Sequence, residues 1–502
     1  MKEVGITRAT GKSEKAGRHE MAGKSKKTGK RTKTIGGLHK AFGLGAAALL
    51  GGIALFGCGA EGETAGKLQE QQAEDGGAGT YNGRQTTEGG EDTLQERQAW
   101  GGEPRALEAI HTVEYTKADT LDETLMESVN SFAYHFGQKL GADGGNYFFS
   151  PYSISSALAV LDNAAGGGTR VQMERMLGIT DTEHYNQQMS FYMQLPQKEE
   201  ACVQSANSIW IDRRCKLSDA AYTDYLPLVE YYYGAEIWEA DFAFDPDGTK
   251  DAINRWVDEH TGGMIPHFKD EVDSEIVLSI INAVYFYGEW SSPFKAEATY
   301  EQTFHGQTED AEVLMMHQGE LFLPYYEQGG LRGISLPYGD GSVVMNILLP
   351  AEGEAQSAAE LFESLSDAEK NTCLTTLMNS EPGFVESLAL PKFSMECSVP
   401  DMPQLLKELG MEDAFVPQMA DFSEIMAPDT MPFYVSEVSH VAKLEVDELG
   451  SRAAAVTDIG IKNMSLMTEE NPIIFTADRP FIFFIQDKES GMILFMGEVR
   501  DL

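Results

Sequence analysis

The 502-residue chain carries a formal net charge of −41, with 79 Asp and Glu against 38 Lys and Arg, so nucleic acid is excluded as a partner by simple repulsion. Five cysteines without a Cys-x-x-Cys spacing make no disulfide scaffold or zinc site, and no metal or cofactor is expected. In chain order, residues 1–40 hold 12 Lys and Arg against three acidic residues, and 41–57 are 17 uncharged residues, short for a membrane span. A basic head before an apolar run is the pattern of an export signal, with Met21 as an alternative start. From Gly59 to about Thr116 the composition turns to Gly, Glu and Gln, which cannot bury enough surface to offset ordering entropy; a flexible acidic tether is expected over 58–116.

From Lys117 to Leu502 helix and strand signals interleave without a repeat. Leu121, Leu125, Val129, Phe132, Phe136 and Leu140 recur at helical spacing over 121–140. Further helices are expected at about 248–261, 357–378 and 401–409, with an acidic helical region at 181–200. The nearly continuous apolar run 276–288 predicts a strand covered on both faces. Residues 341–350, 473–487 and 491–499 read as more strands, with Lys-Glu-Ser-Gly as the turn between the last two. The expectation is one large α+β domain over 117–502. It has no Gly-x-Ser-x-Gly elbow, His-Glu-x-x-His helix or glycine-rich phosphate loop, which argues against an enzyme.

Two resemblances add to this. Leu55-Phe56-Gly57-Cys58 resembles the bacterial lipoprotein signal, in which the Cys receives lipid and becomes the mature N-terminus; an uncleaved helical anchor is the alternative. Either implies an extracytoplasmic, membrane-held or secreted protein. The folded part resembles the serpins. NYFFSPYSISSALAVLDNAAGGGTRVQ (146–172), INRWVDEHTGGMI (253–265), INAVYFYGEWSSPF (281–294), LPKF (390–393), ADFS (420–423), FTADRPFIFFI (475–485) and LFMGEV (494–499) follow in the family's order. The resemblance implies one domain of about nine helices and three β-sheets with an exposed reactive-centre loop, here about 449–472. It also implies a monomer that inhibits serine proteases, with no catalytic residue of its own. A non-inhibitory binding or structural module on the same fold is the alternative. The acidic 181–200 region offers no basic stripe for a polyanionic activator.

The resemblance assigns Glu448, Gly450, Ser451, Arg452, Ala453, Ala454, Ala455 and Thr457 to the hinge of that loop. After cleavage the hinge would slide into the main sheet as a new strand, and alternate residues from Ser451 would face the packed layer beneath. Ser451, Ala453, Ala455 and Thr457 are all small; Arg452 falls on the outward set. Counting 16 residues from Glu448 places the scissile bond at Met464–Ser465, with Lys462, Leu466 and Met467 as alternatives for the bait. An apolar bait suits elastase-, chymotrypsin- or subtilisin-like pockets better than a trypsin-like one. By the same resemblance Ser153, Ser156, Asn282 and His440 would form a polar cluster under the main sheet. Trp290 and Lys392 would stand with Glu448 where the loop first enters. Whether Cys202, Cys215, Cys373 and Cys397 pair is open from sequence.

Overall fold

Every residue of the helix Pro151–Asp162 is buried. Ser150 caps it by accepting from Ser153 N, and Pro151 occupies a first-turn position that needs no amide. Its Ser and Ala side chains keep the cylinder thin enough to pass directly beneath a sheet. The computed structural model describes residues 103–195, 200–397, 399, 401–451 and 472–502. The export signal, Cys58 and residues 59–102 lie outside the described residues, as do Arg452, Ala453, Ala454, Ala455, Thr457, Met464 and Ser465.

Among the described residues, the sheet above the buried helix has seven strands. Their order is Arg105–Ala106, Glu236–Ala240, Ala201–Asp212, Leu278–Glu289, Gly450–Ser451, Glu437–Val446 and Phe393–Cys397. Leu278–Glu289 is the strand expected from the apolar run, and it is buried over its first seven residues. The other strands among the described residues form a second array of ten. Within it Leu321–Gln328 changes partner midway. Leu321–Pro324 pairs with residues 382–385, and Tyr325–Gln328 with residues 331–334. The array is therefore two sheets sharing a strand, and with the seven-stranded sheet there are three. Nine α-helices lie among the described residues, completing an α+β architecture.

The helix expected over 357–378 is two helices, Ala358–Glu363 and Asp367–Asn379. Ser357 with Glu360 and Ser366 with Glu369 each form a capping box, so the second Ser-x-x-Glu starts a new helix instead of continuing the first. Likewise Thr182–Met193 ends well before residue 200, and Ala201 opens a strand.

The tether boundary needs correction. Residues 103–116, expected to be part of it, pack against the domain. Arg105 and Ala106 pair with Glu239 and Trp238 as the outermost strand of the main sheet. Tyr115 then sets its ring 5.2 Å from that of Tyr231 and 5.3 Å from that of Tyr232. A composition averaged over a Gly- and Glu-rich stretch hid these few apolar anchors.

Candidate functional site

Two central strands of the main sheet, Leu278–Glu289 and Glu437–Val446, run parallel. They pair in register from Ser279 and Glu437 up to Tyr285 and Lys443. Above that point they part, and Gly450–Ser451 lies between them, antiparallel to both: Gly450 faces Glu289, and Ser451 faces Gly288 and Val446. The chain gets there by a tight reversal. Asp447 Oδ1 accepts from Leu449 N at 2.8 Å and Gly450 N at 3.2 Å, and Asp447 N donates to Gly450 O at 2.9 Å. Gly450 has φ +153°, and a Cβ there would stand 2.0 Å from Gly288 O, so no other residue fits this crossing. The Ser451 side chain points inward, fully buried, and its Oγ lies 2.7 Å from Tyr338 Oη.

Around this upper end Trp290 stacks on Tyr338 with centroids 4.3 Å apart, and its Nε1 donates to Asp447 O at 2.9 Å. The backbone joins in: Trp290 N donates to Leu449 O and Phe294 N to Glu448 O. Lys392 Nζ donates to Glu448 Oε2 at 2.7 Å. Partial burial pushes the Glu448 carboxyl's pKa up, but the Lys392 ammonium and a backbone amide outweigh that and hold it below the usual carboxylate value.

Lower down, where the strands pair, side chains also bridge the seam. Asn207, Asn282 and His440 occupy one level across three adjacent strands, since Asn282 is the register partner of both others. Ser150 N donates to His440 Nε2 at 3.1 Å, so Nδ1 carries the ring proton and donates to Asn282 Oδ1 at 2.5 Å. Asn282 Nδ2 donates to Ser153 Oγ at 2.6 Å and Asn207 Oδ1 at 2.7 Å; Asn207 Nδ2 donates to Ser156 Oγ at 3.0 Å. Burial lowers the His440 pKa to about 3, so the imidazole is neutral. The structure thus brings Ser153, Ser156, Asn282 and His440 together, and Trp290, Lys392, Glu448, Gly450 and Ser451 in a second group above. Asn207, Ser150 and Ser205, whose Oγ is 2.5 Å from that of Ser153, belong to the lower group and were missed. No local signal marks Asn207, because it stands in the largely polar run Gln-Ser-Ala-Asn-Ser, whose first three residues are not buried, and its role is set by the register with Asn282.

No group of His, Cys, Asp and Glu able to hold a metal occurs among the described residues. Cys202, Cys215 and Cys373 are free thiols, and burial pushes Cys215 up to about 12. The side chain of Cys397 lies outside the described residues. What the geometry provides is a sheet with a partly filled slot at its top and a polar latch at its middle.

The model of the family described as Serpin (serine protease inhibitor) matches residues 127–502. The chain belongs to the serpin family. A serpin-like protein of Thermococcus kodakarensis is 34% identical over 402 residues, covering 78% of this chain and 90% of that one. The leukocyte elastase inhibitor of Xenopus tropicalis is 32% identical over 386 residues, covering 75% of this chain and 98% of its own. Among solved structures, that of the thermophilic serpin tengpin in its native state aligns with a TM-score of 0.70 at 30% identity, covering 80% of this chain and all of that one. In this serpin both groups sit along the seam between the parallel strands Leu278–Glu289 and Glu437–Val446.

Proposed function

We propose that this serpin traps serine-type endopeptidases as a suicide substrate, and that the cut reactive loop becomes the missing central strand of its main sheet. The observation that carries the reading is the placement of Gly450 and Ser451. These two hinge residues run antiparallel to both flanking strands, with the Ser451 side chain turned inward. Continued insertion keeps that register and directs Ala453, Ala455 and Thr457 onto the layer below, where only small side chains fit.

The protease supplies the chemistry. Its serine Oγ attacks the carbonyl carbon of Met464, the amine of Ser465 leaves with a proton, and an acyl-enzyme results. Insertion of the freed segment carries the tethered protease away before water can hydrolyse the ester. Each turnover consumes one inhibitor. The apolar Met464, and the likeness to a leukocyte elastase inhibitor, favour elastase-, chymotrypsin- or subtilisin-like targets. Lipidation at Cys58 would hold the protein on the outer face of a membrane, acting as a monomer.

The test is incubation with a panel of serine proteases followed by boiling in detergent. A 1:1 covalent complex, with release of a peptide beginning at Ser465, supports the reading; cleavage without any complex sinks it. For the anchor, Cys58→Ala should release the protein from membranes, and unchanged retention with unchanged mass would favour an uncleaved helix.

A further inference from the structure

Residues 103–120 form a strap that begins as a strand and ends on helices. At its start Arg105 makes two bonds to the Glu239 carboxylate, Nε to Oε1 at 3.2 Å and Nη2 to Oε2 at 3.4 Å. Leu107 N donates to Ile237 O at 2.7 Å, and Arg213 Nη2 donates to Glu103 O at 2.8 Å. Farther on, Ile110 N donates to Tyr222 O at 3.2 Å. Tyr231 Oη and Tyr232 Oη, on the helix Leu226–Tyr233, donate to the carbonyls of Tyr115 and Thr116 at 3.2 and 3.1 Å. Lys117 Nζ reaches Gln194 Oε1 at 3.1 Å, and Gln188 Nε2 donates to Thr120 O at 3.2 Å, both just before the strap runs into Asp122, the cap of helix Glu123–Leu140. The match to the family model begins at residue 127, downstream of the strap.

Its two ends hold parts that loop insertion would move relative to each other. A new strand between Leu278–Glu289 and Glu437–Val446 needs the group ending in Glu236–Ala240 to shift outward by about one strand spacing, ~4.8 Å. The strap is the outermost member of that group, and its other end is fixed to the helices beside and beneath the sheet. We infer that the strap 103–120 is a brake on opening of the main sheet, tying the strands that must move aside to the helical frame. It slows spontaneous insertion of the uncut loop, and it yields when cleavage frees the loop to pair fully. This rests on the insertion mechanism proposed above.

The experiment uses the full chain with Leu107→Pro, which deletes the amide bonded to Ile237 O, and separately Tyr115→Ala, which removes both ring contacts. Deletion of 64–100, upstream of the strap, is the control. Inhibitory activity is followed during incubation at constant temperature, and the melting midpoints of uncut and loop-cleaved protein are compared. Both strap variants should lose activity about tenfold faster, the upper end of what losing one net hydrogen bond gives. Their cleaved forms should melt with the wild type, and the control should behave as wild type throughout. A decay rate equal to wild type, or equal falls in the uncut and cleaved midpoints, would overturn the brake and leave a merely stabilising strap. If cleavage fails to stabilise even the wild type, the insertion mechanism itself fails and the brake goes with it.

Discussion

His440 Nδ1 lies 2.5 Å from Asn282 Oδ1, joining the two parallel strands that would have to separate to admit the loop. The bond depends on an uncharged imidazole, because Nε2 is already accepting from Ser150 N. Protonation would put a second hydrogen where only an acceptor is tolerated, on a ring that is 4% exposed.

The sign of the pH dependence follows. His440 has a folded pKa lowered to about 3, against about 6.5 unfolded. Its contribution is therefore complete above about pH 6.5 and is lost as pH falls toward 3, at about 1 kcal/mol between pH 6.5 and 5.5. Asp162, whose burial pushes its pKa up to about 7, slopes the other way in that window, so wild type must be compared with His440→Gln. Unfolding midpoints measured from pH 7 to 5 should show wild type falling relative to the variant. Parallel curves would contradict the neutral-latch account.

The Lys392–Glu448 pair is half sheltered, with side-chain exposures of 33% and 15%, so its value is modest. A double-mutant cycle on Lys392→Ala and Glu448→Gln should give a coupling of about 0.5–1 kcal/mol in the uncut protein. The same cycle on the cleaved protein reports whether the pair survives insertion. A coupling near zero in the uncut form would mean that Glu448 does not anchor the hinge.

Gly450→Ala forces a Cβ to within 2.0 Å of Gly288 O, and the hinge has to leave the sheet. Trp290 fluorescence should change, because its Tyr338 neighbour loses Ser451, and the uncut form should lose about 2 kcal/mol or more. Tyr338→Phe is the gentler companion. It leaves the buried Ser451 Oγ without its partner at a cost of about 1–3 kcal/mol. Unaltered Trp290 emission in Gly450→Ala would show that the hinge is not held in the slot.

Ser451→Arg places a cation where the structure has a fully buried hydroxyl, a cost of several kcal/mol, of order 3–5, if unpaired. Insertion should slow while hydrolysis of the acyl-enzyme keeps its rate, so the variant becomes a substrate. The ratio of cleaved product to stable complex measures this; an unchanged ratio would break the link between hinge side chains and trapping.

Much of this was legible before any coordinates. The helix over 121–140 follows from its periodicity and the strand near 276–288 from its continuous apolar run, because their side chains report burial directly. The grouping of Ser153, Ser156, Asn282 and His440 did not come from periodicity; it came from likeness to a family. Asn207 stayed hidden for a physical reason. Its place beside Asn282 is set by strand register, and no local pattern within 201–212 encodes which residue of another strand it meets. The strap was missed for a different one. Leu107, Tyr115 and the edge pairing at Arg105 are too few to alter the composition of their stretch, yet each finds a specific partner. The reversal at Asp447–Gly450 was readable only as a small-residue hinge, since the φ of Gly450 and its crowding against Gly288 exist only once the sheet has formed.

The central claim is that the uncut fold is not the chain's most stable state, and a melting curve before and after limited proteolysis within 458–470 tests it most directly. Cleavage should let the freed segment pair along both edges of the seam, each added backbone bond contributing about 0.5–1.5 kcal/mol net. Roughly ten such bonds rival the whole stability of an ordinary domain, about 5–15 kcal/mol. The account predicts a markedly higher midpoint for the cleaved protein, the reverse of what a nick does to most folds. An unchanged or lower midpoint would contradict it, leaving a serpin fold that keeps its loop outside the sheet.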